Sequence, residues 1–367
     1  MPLQIAPFLQ AVVVNKGSDL HIKAGSPPKS RISGTLVPVE SDPLSADQTW
    51  TLIRETMPSD VVEQFLSTNE ADYALSAPGI GRFRVNAFRA RGSAGCVLRL
   101  VGDEPMTLAD LGLPDVIRKL ALEPRGLVLV TGPTGSGKTT TLSVMVDAIN
   151  ETRPVHILTL EDPIEVLHRD KVASVNQREL GTDTHDWATA LRAAMRQDPD
   201  VILIGEMRDA ETVKAALAAA ETGHFVMSTL HTTDAKETVN RVIDFFPPFE
   251  QKQVRLGLAT SLRGIVCQRL MPRADEQGRA VVMEIAVNSP RLAEAIADPD
   301  RTDTIEDIIA DGAYSGMQTF DQHLLRLVLD GTVTIRAAKL ASSNTHDFSV
   351  MLKRAGVDPV LVDAEEA

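Results

Sequence analysis

One run of residues limits the fold of this chain more than any other: Gly132-Pro133-Thr134-Gly135-Ser136-Gly137-Lys138-Thr139, set directly behind the apolar stretch Gly126 to Thr131. It satisfies the G-x-x-x-x-G-K-[ST] pattern and lies where the mechanism requires, after a strand and before a helical pattern, Lys138 to Asn150. The glycines let the backbone curl with its N–H groups turned inward at a β-phosphate, and the following helix N-terminus adds partial positive charge. Gly132, Pro133, Thr134, Gly135, Ser136, Gly137, Lys138, Thr139 and Thr140 are therefore the candidate nucleotide-binding residues. In this reading Lys138 bridges the β- and γ-phosphates of ATP and Thr139 ligates Mg2+. A tight glycine turn that merely opens a helix is the alternative, and the complete pattern in its context argues against it.

A loop of this kind sits in a parallel sheet covered on both faces, and the neighbouring sequence supplies the strands. Apolar runs recur at Val155 to Leu160, Val201 to Ile204 and Phe225 to Leu230, alternating with helical patterns at Asp186 to Arg196 and Asp209 to Glu221. Val213, Leu217 and Ala220 form one stripe of the last helix. From Pro247 to about Ala341 the pattern is mostly helical, with one strand-like run at Val281 to Val287. Ahead of the loop, the first hundred residues read as a small α+β domain punctuated by turns such as Gly25-Ser26-Pro27-Pro28 and Pro78-Gly79-Ile80-Gly81. Within it, alternation places Phe83, Val85 and Ala87 on one face of a strand and Arg82, Arg84 and Asn86 on the other. The expected fold class is α/β, with domain limits at 1–101, a proline-rich connection at 102–125, an ATPase-type domain at 126–356 and an acidic tail at 357–367.

Bulk properties narrow the function further. A net charge of -13 repels phosphate backbones and anionic lipid, and an aromatic content of 4% gives little for single-stranded nucleic acid to stack on, so no nucleic-acid partner is expected. Cys96 and Cys267 are the only cysteines and form no CxxC pair, which fits a reducing cytoplasm and excludes a Cys-rich zinc site. Met1 to Val14 lacks the basic region and cleavage site of a signal peptide. No apolar run approaches the ~20 residues of a membrane helix, so contact with a membrane is expected to go through a protein partner.

Hydrolysis of a bound nucleotide needs an acidic group near Mg2+ and another that orients or deprotonates water. Asp200-Val201-Ile202-Leu203-Ile204-Gly205-Glu206 is an apolar strand ending in a carboxylate, and makes Glu206 a candidate catalytic and metal residue in a Walker-B-like position where Asp is more usual. Glu161-Asp162-Pro163-Ile164-Glu165 follows another strand, with Pro163 stopping it so that the acids project from the same edge. Glu165 is the first choice for general base and Glu161 a second catalytic candidate. Acids that only terminate strands and cap helices are the bland alternative for both segments. His224 and His231 bracket the run Phe225 to Leu230 at opposite ends. An odd number of steps separates them, so one of the two is expected to meet nucleotide, and His231 is the candidate.

Together these motifs resemble the hexameric secretion and pilus ATPases and, within them, the twitching-motility, PilT-like pilus-retraction motors. The resemblance rests on Gly17-Ser18-Asp19-Leu20-His21, Gly81 to Asn86, Arg125 to Leu142, Leu158 to Glu165, Asp198 to Asp209, Thr222 to Thr232 and Gly316-Met317-Gln318-Thr319-Phe320-Asp321. It implies a PAS-like first domain, a RecA-like ATPase domain with a helical C-terminal part, and a homo-hexamer whose nucleotide is completed by a neighbour. Arg82, Arg84 and Arg99 match the positions from which such rings donate arginine fingers, and Arg192, Arg196, Arg208 and Arg241 are weaker matches. The implied function is a Mg2+-dependent ATPase that drives pilus retraction at the inner face of the cytoplasmic membrane, through an inner-membrane platform protein and alongside a paralogous motor. An accessory PilU-type motor or another type II/IV secretion-system ATPase is the alternative, and a nucleic-acid translocase a distant one. One departure stands out: where those motors carry an alanine-isoleucine-arginine signature, this chain reads Arg291-Leu292-Ala293-Glu294-Ala295-Ile296-Ala297.

Overall fold

The alternation around Phe83 does build a strand. In the computed structural model, which describes residues 4–39, 42–102 and 106–357, Phe83, Val85 and Ala87 are fully buried while Arg84 and Asn86 are exposed. They belong to the first of two units into which the chain divides, Met1–Glu104 with Ile164–Leu167. Its sheet holds β1 (Asp19–Lys23), β2 (Lys29–Ile32), β3 (Thr35–Pro38), β4 (Glu70–Ala77), β5 (Gly81–Ala90) and β6 (Ser93–Leu100) in the order β3-β2-β1-β6-β5-β4, every pair antiparallel. Helices α1 (Ala6–Val14), α2 (Ala46–Arg54) and α3 (Ser59–Thr68) supply Leu9, Ile53 and Phe65 to the apolar cluster with Phe83, Val85 and Leu98. Each such side chain contributes about 1.5–3 kcal/mol by leaving water. The other face is polar: register sets Arg31, Asp19, Arg99 and Arg84 side by side across β2, β1, β6 and β5.

The second unit, Pro105–Pro163 with His168–Ala367, is built on a seven-stranded sheet. Its strands are β7 (Gly126–Thr131), β8 (His156–Glu161), β9 (Ser174–Glu179), β10 (Val201–Ile204), β11 (Phe225–Leu230), β12 (Leu262–Pro272) and β13 (Arg279–Val287), ordered β13-β12-β7-β11-β10-β8-β9. All neighbours run parallel except β12 and β13. Every residue of β7, β10 and β11 is buried, which is why these strands read as largely apolar runs, interrupted in β11 by Ser228 and Thr229. Helices α4 (Asp115–Ala121), α5 (Lys138–Thr152), α6 (Trp187–Ala194), α7 (Ala210–Glu221), α8 (Ala235–Asp244) and α9 (Pro248–Ser261) follow in the chain. Three of them begin on an aspartate cap: Asp186, Asp209 and Asp234 accept from the backbone N–H of Thr189, Thr212 and Glu237. Beyond the sheet come α10 (Pro290–Ala297), α11 (Ile305–Asp311), α12 (Phe320–Leu329), α13 (Ile335–Ala341) and α14 (Thr345–Arg354).

Two strands overturn the sequence expectation. The segment expected to be mostly helical contains β12, an 11-residue strand that pairs in parallel with β7 and antiparallel with β13. Arg263, Gln268 and Arg269 interrupt its apolar run, so hydropathy alone hides it. The edge strand β9, Ser-Val-Asn-Gln-Arg-Glu, carries almost no apolar signal because only one of its sides pairs. Residues 103–105 of the expected connection and 358–367 of the acidic tail lie outside the described residues. Among the described residues no helix is long and apolar enough to cross a membrane.

Candidate active site

The phosphate-binding pattern occupies the turn between β7 and α5. Gly132, Gly135 and Gly137 have φ of 141°, 79° and 88°, values that a residue with a Cβ adopts only with strain. At Gly132 the requirement is also steric, since a Cβ would lie 2.3 Å from the carbonyl oxygen of Gln268 and 2.7 Å from Ser136 Oγ. Lys138 opens α5 and is buried, its Nζ donating to the carbonyls of Gly132 (2.8 Å) and Pro133 (3.2 Å). Ser136 Oγ is buried without a hydrogen-bond partner among the described residues, and Thr139 and Thr140 are half-buried on the first turn of α5. A cradle of left-handed glycines, an inward ammonium and an unpartnered hydroxyl suits a polyphosphate.

The end of β11 meets this loop, and the end of β10 meets it through β11. His231 follows β11 directly and lies with Nδ1 3.5 Å from Lys138 Nζ and Nε2 3.0 Å from Glu206 Oε1. Glu206 follows β10 by one glycine; its other oxygen pairs with Arg208 Nη2 at 2.8 Å, and that contact raises the Arg208 pKa above its ordinary value. Lys138, His231 and Glu206 thus form one chain of polar contacts. Glu161 ends β8 and is buried, its Oε1 accepting from Thr159 Oγ1 (2.7 Å) and Gln177 Nε2 (3.0 Å). Among the described residues no cluster of three or more His, Cys, Asp or Glu could hold a metal by itself. A divalent ion at Thr139 and Glu206 would therefore take the rest of its ligands from phosphate and water, the habit of Mg2+.

Several of the other candidates have partners of their own. Glu165 is exposed on the segment Ile164–Leu167, which is counted with the first unit and is tied to it through Leu167 N–H and the Gly102 carbonyl at 2.8 Å. Arg82, Arg84 and Arg99 also belong to the first unit: Arg82 Nη1 donates to Ser76 Oγ at 3.2 Å, Arg84 is exposed, and Arg99 Nε pairs with Asp19 Oδ1 at 2.9 Å. The Arg99 and Ser18 contacts hold the Asp19 carboxyl below its usual value against the opposing effect of burial. Arg192 is bound to Glu211 (2.6 Å) and Arg241 lies over the Phe245 ring at 4.7 Å, while Arg196 is exposed. His224, at the other end of β11 from His231, contacts the Ala219 carbonyl and Thr222 Oγ1.

Sequence reasoning missed one support of the loop. Gln268 of β12 is fully buried and its Nε2 donates to the Ser136 carbonyl at 2.7 Å. The signal was available in principle: a glutamine inside Ile265-Val266-Cys267 and Leu270-Met271 needs a polar partner.

The chain is 44% identical over 346 residues to the Pseudomonas aeruginosa protein named type IV pilus retractation ATPase PilT, covering 94% of this chain and 100% of that one. It is 40% identical over 351 residues to the type IV pilus ATPase PilU of the same organism, covering 96% and 92%. The crystal structure titled as the pilus retraction motor PilT with bound ADP superposes with a TM-score of 0.83 at 40% identity, covering 95% of this chain and 98% of that chain. A family model described as type II/IV secretion system protein matches residues 2–340, and the chain belongs to that family.

Proposed function

We propose that this chain is a Mg2+-dependent ATPase of cytoplasmic location whose homo-hexameric ring powers type IV pilus retraction. The observation that carries the reading is the convergence of Lys138, His231 and Glu206 on a glycine cradle, in a chain similar along nearly its full length to PilT. ATP hydrolysis is the activity. Lys138 leaves the Gly132 and Pro133 carbonyls for the β- and γ-phosphates, and His231, already 3.5 Å from its Nζ, reads whether a γ-phosphate is present. Glu206, held between His231 and Arg208, and Thr139 would hold Mg2+, which when bound neutralises developing phosphate charge. Glu165 orients the attacking water, and the exposed Arg84 with Arg82 and Arg99 reaches the γ-phosphate of a neighbouring protomer. An inner-membrane platform protein and a paralogous motor are the expected partners. The accessory, PilU-type role is the second reading, favoured by 40% identity to PilU over 96% of this chain.

Complementation between two inactive variants tests the shared site. Lys138→Ala chains and chains carrying Arg84→Ala with Arg99→Ala are each expected to lose turnover by about 10^3-fold, the scale of an arginine finger, and to regain part of it when mixed. A mixture as inactive as its parts would overturn the trans assignment. Deleting the gene decides the cellular role: abundant pili that do not retract support a retraction motor, and cells without pili refute it.

A further inference from the structure

Glu284 lies outside the Lys138–His231–Glu206 chain of contacts, yet it is a carboxylate only 7% exposed, on β13, with β12 between it and the phosphate-binding strand β7. Its Oε1 accepts the first N–H of α8, from Ala235, at 2.8 Å. That helix begins four residues after His231, and the segment between them is tied to it. Thr232 Oγ1 meets Thr238 Oγ1 at 2.7 Å, Thr233 N and Oγ1 donate to Glu237 Oε2, and Asp234 caps the helix. Glu284 in turn is fixed to the sheet, in a transverse row running Glu284, Cys267, Thr131 and Leu230 across β13, β12, β7 and β11. Thr131 immediately precedes Gly132, and Leu230 immediately precedes His231.

We infer that Glu284 is a positioning residue for ATP hydrolysis: its ionised carboxylate anchors the N-terminus of α8 to the sheet, and so holds the His231–Asp234 segment in reach of Lys138 and Glu206. The inference rests on the reading of His231 as the γ-phosphate contact. A carboxylate at a helix N-terminus is held by the exposed N–H and by the helix dipole, and a neutral carboxyl holds it less. The proton is available near neutrality. Burial, then Asp234 and Glu306, push the Glu284 carboxyl up to about 7, against the pull of the Ala235 N–H and Arg269. A cavity of about 260 Å3 lined by Asp234, Lys236, Arg269, Glu284 and Glu306 adjoins it. Lys236 there is paired with Asp303 at 2.6 Å, and Arg269 lies over the Phe320 ring at 4.1 Å. Among the described residues, Asp234, Lys236, Arg269 and Glu306 are the charged groups that line this cavity with Glu284, and the buried Cys267 thiol of β12 is its cross-strand neighbour.

The test compares full-length wild type with Glu284→Gln, measuring kcat and KM for MgATP from pH 5.5 to 9 and thermal unfolding at pH 6 and 8. Wild-type kcat is expected to fall below an apparent pKa near 7. In Glu284→Gln that acid limb disappears and kcat stays about fivefold below wild type at pH 8, as for loss of one charged helix-terminal contact, with KM within about twofold. Melting of the variant at pH 8 is expected to match or exceed wild type, because the amide removes a buried charge. An unchanged acid limb in Glu284→Gln, or a loss of activity that tracks a fall in melting temperature at every pH, overturns the inference. Wild type without turnover at any pH would overturn it together with the ATPase reading.

Discussion

Replacing Gln268 with Leu separates the support of the phosphate loop from the stability of the sheet. Gln268 is fully buried, its Nε2 donates to the Ser136 carbonyl at 2.7 Å, and its Oε1 has no hydrogen-bond partner among the described residues. Leucine fills a similar volume. It leaves the Ser136 carbonyl without that donor, at a cost of about 1–3 kcal/mol, but also removes a buried oxygen whose lack of a partner costs about as much. The two effects oppose, so chemical denaturation should show a change below about 1 kcal/mol. Nucleotide affinity has no such compensation. The loop loses the bond that fixes the peptide joining Ser136 and Gly137, and a net loss of one hydrogen bond to preorganisation corresponds to about tenfold weaker ADP binding. Calorimetric titration with ADP beside urea unfolding reads both quantities. A Gln268→Leu protein that binds ADP as wild type does, or that loses more than about 3 kcal/mol of stability with affinity intact, would refute the assignment.

The neighbouring contact makes a complementary prediction: Gly132→Ala drives a Cβ to 2.3 Å from the Gln268 carbonyl at a φ of 141°, and should cost about 2–4 kcal/mol in unfolding experiments, with nucleotide binding lost as well. A variant as stable as wild type would show that the loop relaxes freely. The acid limit of stability is set in part by His323, which burial and Arg326 hold down at about 4 while Nδ1 accepts from Met283 N–H at 2.9 Å. An imidazole that accepts is neutral, so its contribution is complete above the unfolded value of 6.5 and is lost as pH falls toward 4, about 3 kcal/mol in all. Unfolding free energies measured from pH 7 to 4 should show this slope, and His323→Gln should flatten it; an equal slope in both proteins would remove His323 from the account.

What the sequence discloses here follows from how far apart the interacting residues are. The phosphate loop is legible because its cause is local: the glycines, the lysine and the helix start lie within eight residues. β7, β10 and β11 are legible because parallel strands buried on both faces are predominantly apolar. The same rule hides β12, where Gln268 spends a buried position on a hydrogen bond 132 residues away, and β9, which pairs on one side only. Glu206 and His231 could be read as strand-end residues, but their contact at 3.0 Å depends on β10 lying beside β11. Glu284 was illegible for that reason too: its partner is 49 residues away.

The strand order then explains why the loop's supports come from opposite sides. In β12-β7-β11-β10 the phosphate-binding strand has β12 on one flank and β11 on the other. From β12 the Gln268 side chain reaches the back of the loop, and from β11 His231 approaches Lys138. The loop is therefore braced on both sides: on one by the β12–β13 pair, on the other by the segment leading into α8. Those two routes rejoin at Glu284, which sits on β13 and holds the first turn of α8. A motor needs its nucleotide site and its moving parts in one mechanical circuit, and in this sheet a single buried carboxylate closes it.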